Sequence, residues 1–305
     1  MSADLIRKSV NRVCLSIFIF LGIATPLQTA VVFVASEAAF DILTALVMVI
    51  SYTAAFLIYK RAYKSSFIAP SFAFKVDLRS VAMIFASLGI AFAAAHLVGI
   101  FNMGGGAEPV IEYHSESIVA LFFSTVFVPA FFEELFFRGL IMTNLLPLGK
   151  GFSIIVSGII FGLVHGNHDQ IFFAFVAGIA LGYLYYKTGS LWPGIILHML
   201  NNFIACTESV LIGSIKEEVA LRICMAIECT VFVLGAVSLV YLILISKKER
   251  EAKKRDGLYG TCRESLPVGN TYFTYKEYMK GFFSGAMIAF LCYVVLNEIA
   301  YVSLY

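Results

Sequence analysis

Apolar residues run through this chain in long stretches, separated by short polar segments. Nine such stretches cover roughly 13–35, 42–59, 81–101, 117–146, 152–166, 171–186, 191–208, 220–246 and 282–304. About 20 apolar residues in helical form cross the hydrocarbon core of a bilayer. The stretches lack the two-residue alternation of a membrane barrel, and lipid offers no partner for a free backbone group, so each is expected to be a helix. The pattern predicts an all-α, polytopic transmembrane helical bundle of about eight or nine spans. It divides into N-terminal transmembrane helices (1–116), a core of spans four to seven (117–208) and C-terminal helices (209–305). No segment between the spans is large enough to fold by itself.

Composition agrees with a membrane protein: 60% of residues are hydrophobic and only 14% charged, with a mean hydropathy of +0.88. The net charge of +2 says little about partners; the placement of the charges says more. With nine spans and the N-terminus inside, 19 of the 22 lysines and arginines fall on the inner side, as the positive-inside rule requires. The expectation is a multi-pass protein of a plasma membrane, bacterial in type, with a cytoplasmic N-terminus. The basic run Lys247 to Arg255 opens a polar segment, 247–281, read as a solvated loop near anionic lipid. Membrane lipid is therefore an expected partner, and nucleic acid is not. The basic start (Arg7, Lys8, Arg12) also fits a signal peptide, with Pro26 and Ala30 near a cleavage site. Hydrophobicity persists to Ala35, which favours an uncleaved first span. The six cysteines form no Cys-x-x-Cys pair, and those in or beside spans read as small buried hydrophobes.

The chemistry lies in span four. Glu133 and Glu134 stand side by side in Phe131-Phe132-Glu133-Glu134-Leu135-Phe136-Phe137-Arg138. A charge at bilayer depth costs at least ~2.5–3.5 kcal/mol on insertion scales, so an intramembrane carboxylate marks a functional site by default. One arginine cannot neutralise two carboxylates. Glu134 and Arg138, four apart in the favourable order, are expected to pair, leaving Glu133 to face a cavity. Pro129, one turn earlier, is expected to kink the helix there.

Counting residues from the helix ends places Glu133 and His165 at one level, about 20 Å from the cytoplasmic face. They lie on antiparallel neighbours joined by the short turn Pro147-Leu148-Gly149-Lys150. On span seven, which opens with Ser190-Leu191-Trp192-Pro193, His198 and Asn202 share a helical face. A glutamate shielded from bulk water is suited to act as a general base on a single water. His165 can hold that water or shuttle its proton. His198 and the Asn202 amide can donate to an oxyanion. No serine or cysteine sits in an evident nucleophile motif, so attack by water is preferred over a covalent enzyme. Together these residues read as a peptide hydrolase within a membrane.

These residues also carry a resemblance. Glu133-Glu134-Leu135-Phe136-Phe137-Arg138 resembles the Glu-Glu-x-x-x-Arg motif of the CAAX protease and bacteriocin-processing family. Phe161-Gly162-Leu163-Val164-His165 is similar to its Phe-x-x-x-His motif. Phe175-Val176-Ala177-Gly178, followed by Gly182, resembles its small-residue helix, and His198 to Asn202 contains its His-x-x-x-Asn motif. All four occur in order within 131–202 and cover spans four to seven only. The resemblance implies an intramembrane endopeptidase of the type II CAAX prenyl kind acting on a lipidated or hydrophobic peptide. It implies that Glu133 activates water, His165 assists, and His198 with Asn202 forms the oxyanion hole. Glu134 and Arg138 would be structural or substrate-orienting. Bacterial relatives are linked to bacteriocin maturation, self-immunity and peptide signalling, and some are called lysostaphin resistance-like.

Three other readings stay open. The family was once described as metalloproteases, and Glu133, His165 and His198 have the chemistry of zinc ligands. Asn202 is a poor zinc ligand and an apt oxyanion donor, which favours a metal-free site without a cofactor. The same cavity could serve a non-catalytic membrane scaffold or immunity protein. A transporter is a weaker reading, because no inverted repeat is visible. Asn201, His96, Gly158, Gly162, Gly178 and Gly182 read as packing positions. Glu228 and Glu298 read as interfacial acids. His114, His168, Asp169 and Gly104-Gly105-Gly106 read as loop residues.

Overall fold

The computed structural model of the chain describes residues 2–74, 77–101, 117–166, 168–255 and 273–304. The glycine triplet at 104–106 and His114 lie outside these residues, as do the side chains of His168, Asp169 and Glu298. Among the described residues every regular element is helical. The first three helices are α1 (Ser2–Val34), α2 (Glu37–Ala62) and α3 (Leu78–Phe101). Then follow α4 (Ile118–Leu148), α5 (Lys150–Val164), α6 (His168–Thr188) and α7 (Trp192–Ser214). The chain closes with α8 (Glu217–Arg255), α9 (Tyr275–Phe282) and α10 (Gly285–Leu304).

Seven of these helices are long and apolar enough to cross a membrane, and eight if the pair α9–α10, bent by 62°, is one span. The difference from nine lies in α5. Its 15 residues rise about 22 Å, short of the ~30 Å hydrocarbon core. The basic run Lys247 to Arg255 also departs from expectation: it continues α8 as helix instead of opening a loop. Its Lys, Glu, Arg and Ala residues are all strong helix formers. Arg79 meets Glu249 there at 2.8 Å.

The main core joins α1, α2, α4, α5 and α10. Ile6, Val10, Val13 and Ile17 of α1 meet Tyr52 and Tyr59 of α2, Phe136, Phe137, Leu140 and Ile141 of α4, and Met287 and Phe290 of α10. The first helix is thus an integral part of the bundle. Outward faces stay apolar. On α8, Val233, Val237, Val240 and Leu244 form one exposed stripe at helical spacing, a surface suited to lipid.

Two local features position the site. The first is the packing of α5 on α6. A methyl group on Gly162 would come within 2.7 Å of the Ile171 carbonyl, and one on Gly178 within 3.0 Å of the Gly158 Cα. These glycines let two backbones approach as side chains would not. The second is the segment between α2 and α3. The Ile68 N–H donates to Asn144 Oδ1 at 3.0 Å, the Leu191 N–H donates to the Ser71 carbonyl at 3.0 Å, and Trp192 Nε1–H donates to the Phe72 carbonyl at 3.1 Å. This strap ties the end of α4 to the start of α7.

Candidate active site

Helix α4 is not regular. Its winding is π-type over Phe123–Phe127 and again over Glu134–Met142, with Pro129 between them in the first turn of Val128–Glu133. Pro129, where a kink is expected, thus lies between two π stretches. Such segments are rare and often mark functional sites.

The second π stretch presents Glu134 and Arg138, both fully buried. Arg138 Nη1 donates to Glu134 Oε1 at 2.6 Å, and Nη2 donates to the Gly178 carbonyl at 3.0 Å. The guanidinium lies 4.4 Å from the Phe161 ring centroid. One arginine therefore clasps α4, α5 and α6 together. Leaving any of these partners unmet at such depth would cost several kcal/mol in order of magnitude.

Glu134 has a second partner. His198 Nδ1 lies 3.2 Å from the same Oε1, so Nδ1 carries the proton that it donates to this carboxylate. The orientation leaves His198 Nε2 facing Glu133 Oε2 at 3.8 Å. Glu133 is 8% exposed and His198 7%. Glu133 Oε2 has no hydrogen-bond partner among the described residues, and 3.8 Å exceeds a direct hydrogen bond. A buried carboxylate oxygen without a partner calls for a functional account.

His165 closes α5. Its Nδ1–H donates to the Phe161 carbonyl at 2.7 Å, which directs Nε2 away from that carbonyl. Asn202 Nδ2 donates to the Thr125 carbonyl, in the first π stretch, at 3.0 Å. Its Oδ1 accepts from Asn201 Nδ2 at 3.2 Å. One of the two Asn202 N–H groups is thus committed, and the other remains for a ligand. His165, His198, Asn201 and Asn202 line one cavity together; Glu133 reaches it through His198.

Glu133, counted to the depth of His165, has His198 Nε2 at 3.8 Å from its Oε2, and His165 lines the cavity beside His198.

Two residues of the site were not read as functional in the sequence. Phe161 packs edge-on against His165 (4.9 Å between centroids), His198 (5.9 Å) and Phe137 (5.0 Å) while holding Arg138 on its face. The other is Gly194, in the first turn of α7. A methyl group there would sit 3.0 Å from Glu134 Oε2. Proline followed by glycine at the start of an intramembrane helix was the available signal. Gly194→Ala is expected to push on the Glu134 carboxylate, tilt His198 and lower kcat/KM about tenfold or more, because small misplacements of a catalytic geometry are costly. Peptide cleavage by the purified variant checks this.

His96, read as an isolated packing residue, has partners. Its Nε2 lies 3.3 Å from Glu228 Oε2, and its Nδ1–H donates to the Phe92 carbonyl at 3.0 Å. The pair links α3 to α8 and stands apart from the cavity.

Residues 115–204 match the family model described as type II CAAX prenyl endopeptidase Rce1-like. That segment, less than a third of the chain, is similar to the core of CAAX-type intramembrane proteases. The matched segment takes in α4 through most of α7, and with them Glu133, Glu134, Arg138, Phe161, His165, Gly178, Gly194, His198, Asn201 and Asn202. Together with the apolar helices, the match supports an integral multi-pass membrane protein. No curated protein and no solved structure gave a match.

The zinc reading requires Glu133, His165 and His198 to converge on one point. Among the described residues, no three His, Cys, Asp or Glu side chains are grouped so as to hold a metal ion. His198 Nδ1 is held by Glu134, which leaves only Nε2 of that ring as a possible ligand.

Proposed function

We propose that this protein is an intramembrane endopeptidase in which Glu133 activates a water to hydrolyse a peptide bond in a hydrophobic or lipidated substrate. The observation that carries this reading is the unpartnered, buried Glu133 Oε2, 3.8 Å from a His198 Nε2 whose ring is fixed from behind by Glu134.

Glu133 takes a proton from a water that bridges Oε2 and Nε2 from the substrate side, and the oxygen adds to the substrate carbonyl carbon. The carbonyl oxygen becomes an oxyanion, which accepts from the uncommitted Asn202 N–H and from His198 protonated at Nε2. Glu134 stabilises that imidazolium as an orienting carboxylate does in a hydrolase triad. Collapse breaks the C–N bond, and the proton held by Glu133 passes to the leaving nitrogen. The products are a carboxylate and an amine. His165, at the rim of the cavity, assists by relaying protons to the outside.

The purified protein in lipid vesicles, given a hydrophobic reporter peptide, is expected to cleave it equally well before and after treatment with excess chelator. Loss of cleavage in chelator, with recovery on adding zinc, would overturn the metal-free reading.

A further inference from the structure

π winding is rare and mostly confined to single turns, yet in α4 it runs for nine residues, Glu134–Met142. Side chains support it. Ser157 Oγ–H of α5 donates to the Phe137 carbonyl at 3.0 Å. Thr143 Oγ1–H donates to the Arg138 carbonyl at 2.8 Å, and Asn144 Nδ2 donates to the Leu140 carbonyl at 2.8 Å. The Arg138 carbonyl also accepts from the Thr143 N–H, so Thr143 closes the last π turn twice.

Thr143 is held in turn. Its oxygen lies 2.8 Å from the Tyr185 hydroxyl of α6. The one hydroxyl hydrogen of Thr143 is spent on Arg138, so Tyr185 donates and Thr143 accepts. The Tyr185 oxygen accepts from the Ser71 N–H of the strap between α2 and α3. Thr143 and Tyr185 are both buried, where linked hydroxyls polarise one another and an unmet one is costly. Ser71 also faces the other way: its carbonyl accepts from the Leu191 N–H at the entrance to α7. The bonds form a closed circuit. It runs from Ser71 through Tyr185 and Thr143 to the backbone of Arg138, then through the Arg138 side chain to Glu134 and His198, and back along α7 to Leu191 and Ser71.

We propose that Tyr185 is a positioning residue of the peptidase. Its hydroxyl, acting through Thr143, fixes the register of the π stretch and so the distance at which Glu134 orients His198. The inference rests on the peptidase reading and adds to it a residue that stands outside the four motifs and does not line the cavity. The Tyr185 ring belongs to the apolar cluster of Met142, Leu146, Leu191 and Ile195, a place that phenylalanine fills equally well. Tyr185→Phe therefore removes the hydroxyl link and keeps the packing.

The test uses the purified full-length protein in vesicles with the hydrophobic reporter peptide. Tyr185→Phe is expected to lower kcat at least about tenfold, with KM within about twofold of wild type, because small displacements of a catalytic geometry are costly. Thr143→Val should lose a similar factor, and the double variant no more than either alone, since the two hydroxyls act through one link. Thr143→Ser retains the hydroxyl and should keep most of the wild-type rate. A role in stability alone would lower the unfolding temperature and leave kcat per folded molecule unchanged, and that result would overturn the proposal. If Tyr185→Phe does not fold, Thr143→Val against Thr143→Ser decides, and equal rates in the two would overturn it. Wild-type kcat in Tyr185→Phe would remove the positioning role and leave the peptidase reading standing. Absence of cleavage by wild type would overturn both.

Discussion

Glu133→Gln is expected to lower the cleavage rate about 10²–10⁴-fold, the range lost with a positioned general base, while the protein stays folded. The substitution preserves shape and removes only the basicity of the oxygen facing His198. Glu133 makes no hydrogen bond through Oε2, so that atom has no protein partner to lose. The variant also removes a buried charge, so thermal unfolding in detergent should occur at the wild-type temperature or above it. Such a loss of activity without loss of stability is the mark of a site held at a cost to the fold. Activity within a few-fold of wild type would remove Glu133 from the chemistry.

The second large effect concerns stability. Arg138→Ala leaves the fully buried Glu134 without its counter-charge and the Gly178 carbonyl without a donor. Breaking a buried pair by deleting one partner costs about 3–5 kcal/mol, a large share of the 5–15 kcal/mol that typically holds a domain together. Thermal unfolding of the purified variant should shift far down. Arg138→Lys should recover only part of the loss, because a point charge cannot reach Glu134, Gly178 and the face of Phe161 together. Replacing both members by apolar residues of similar size, Glu134→Met with Arg138→Met, should restore most of the stability yet leave the protein inactive, since His198 loses the carboxylate that orients it. Wild-type stability in Arg138→Ala would show that the pair does not hold the three helices.

Much of this was legible in the chain. The apolar runs gave the all-helical membrane bundle, because lipid forces each span to satisfy its own backbone. The pairing of Glu134 with Arg138 followed from helical spacing, and the close packing of α5 on α6 from Gly158, Gly162 and Gly178. What escaped depended on winding and on distant partners. The approach of His198 to Glu133 joins residues far apart in the chain, and nothing in Glu134–Met142 announces its π winding. Glu134 read as the partner of Arg138 alone, because its bond to His198 spans 64 positions. His96 read as solitary for the same reason, its carboxylate lying on a helix more than a hundred residues away. The shortness of α5, by contrast, could have been read from the early polar run His165-Gly166-Asn167-His168-Asp169-Gln170.

The central claim is that Glu133 and His198 close on one water and act as a unit. A double-mutant cycle on reporter cleavage tests it directly, with Glu133→Gln, His198→Gln and the double variant compared against the uncatalysed rate. Residues that share one step are strongly non-additive. The predicted result is a double variant no slower than the slower of the two single variants. Costs that multiply, so that the double variant loses the product of the two single losses, would contradict the account.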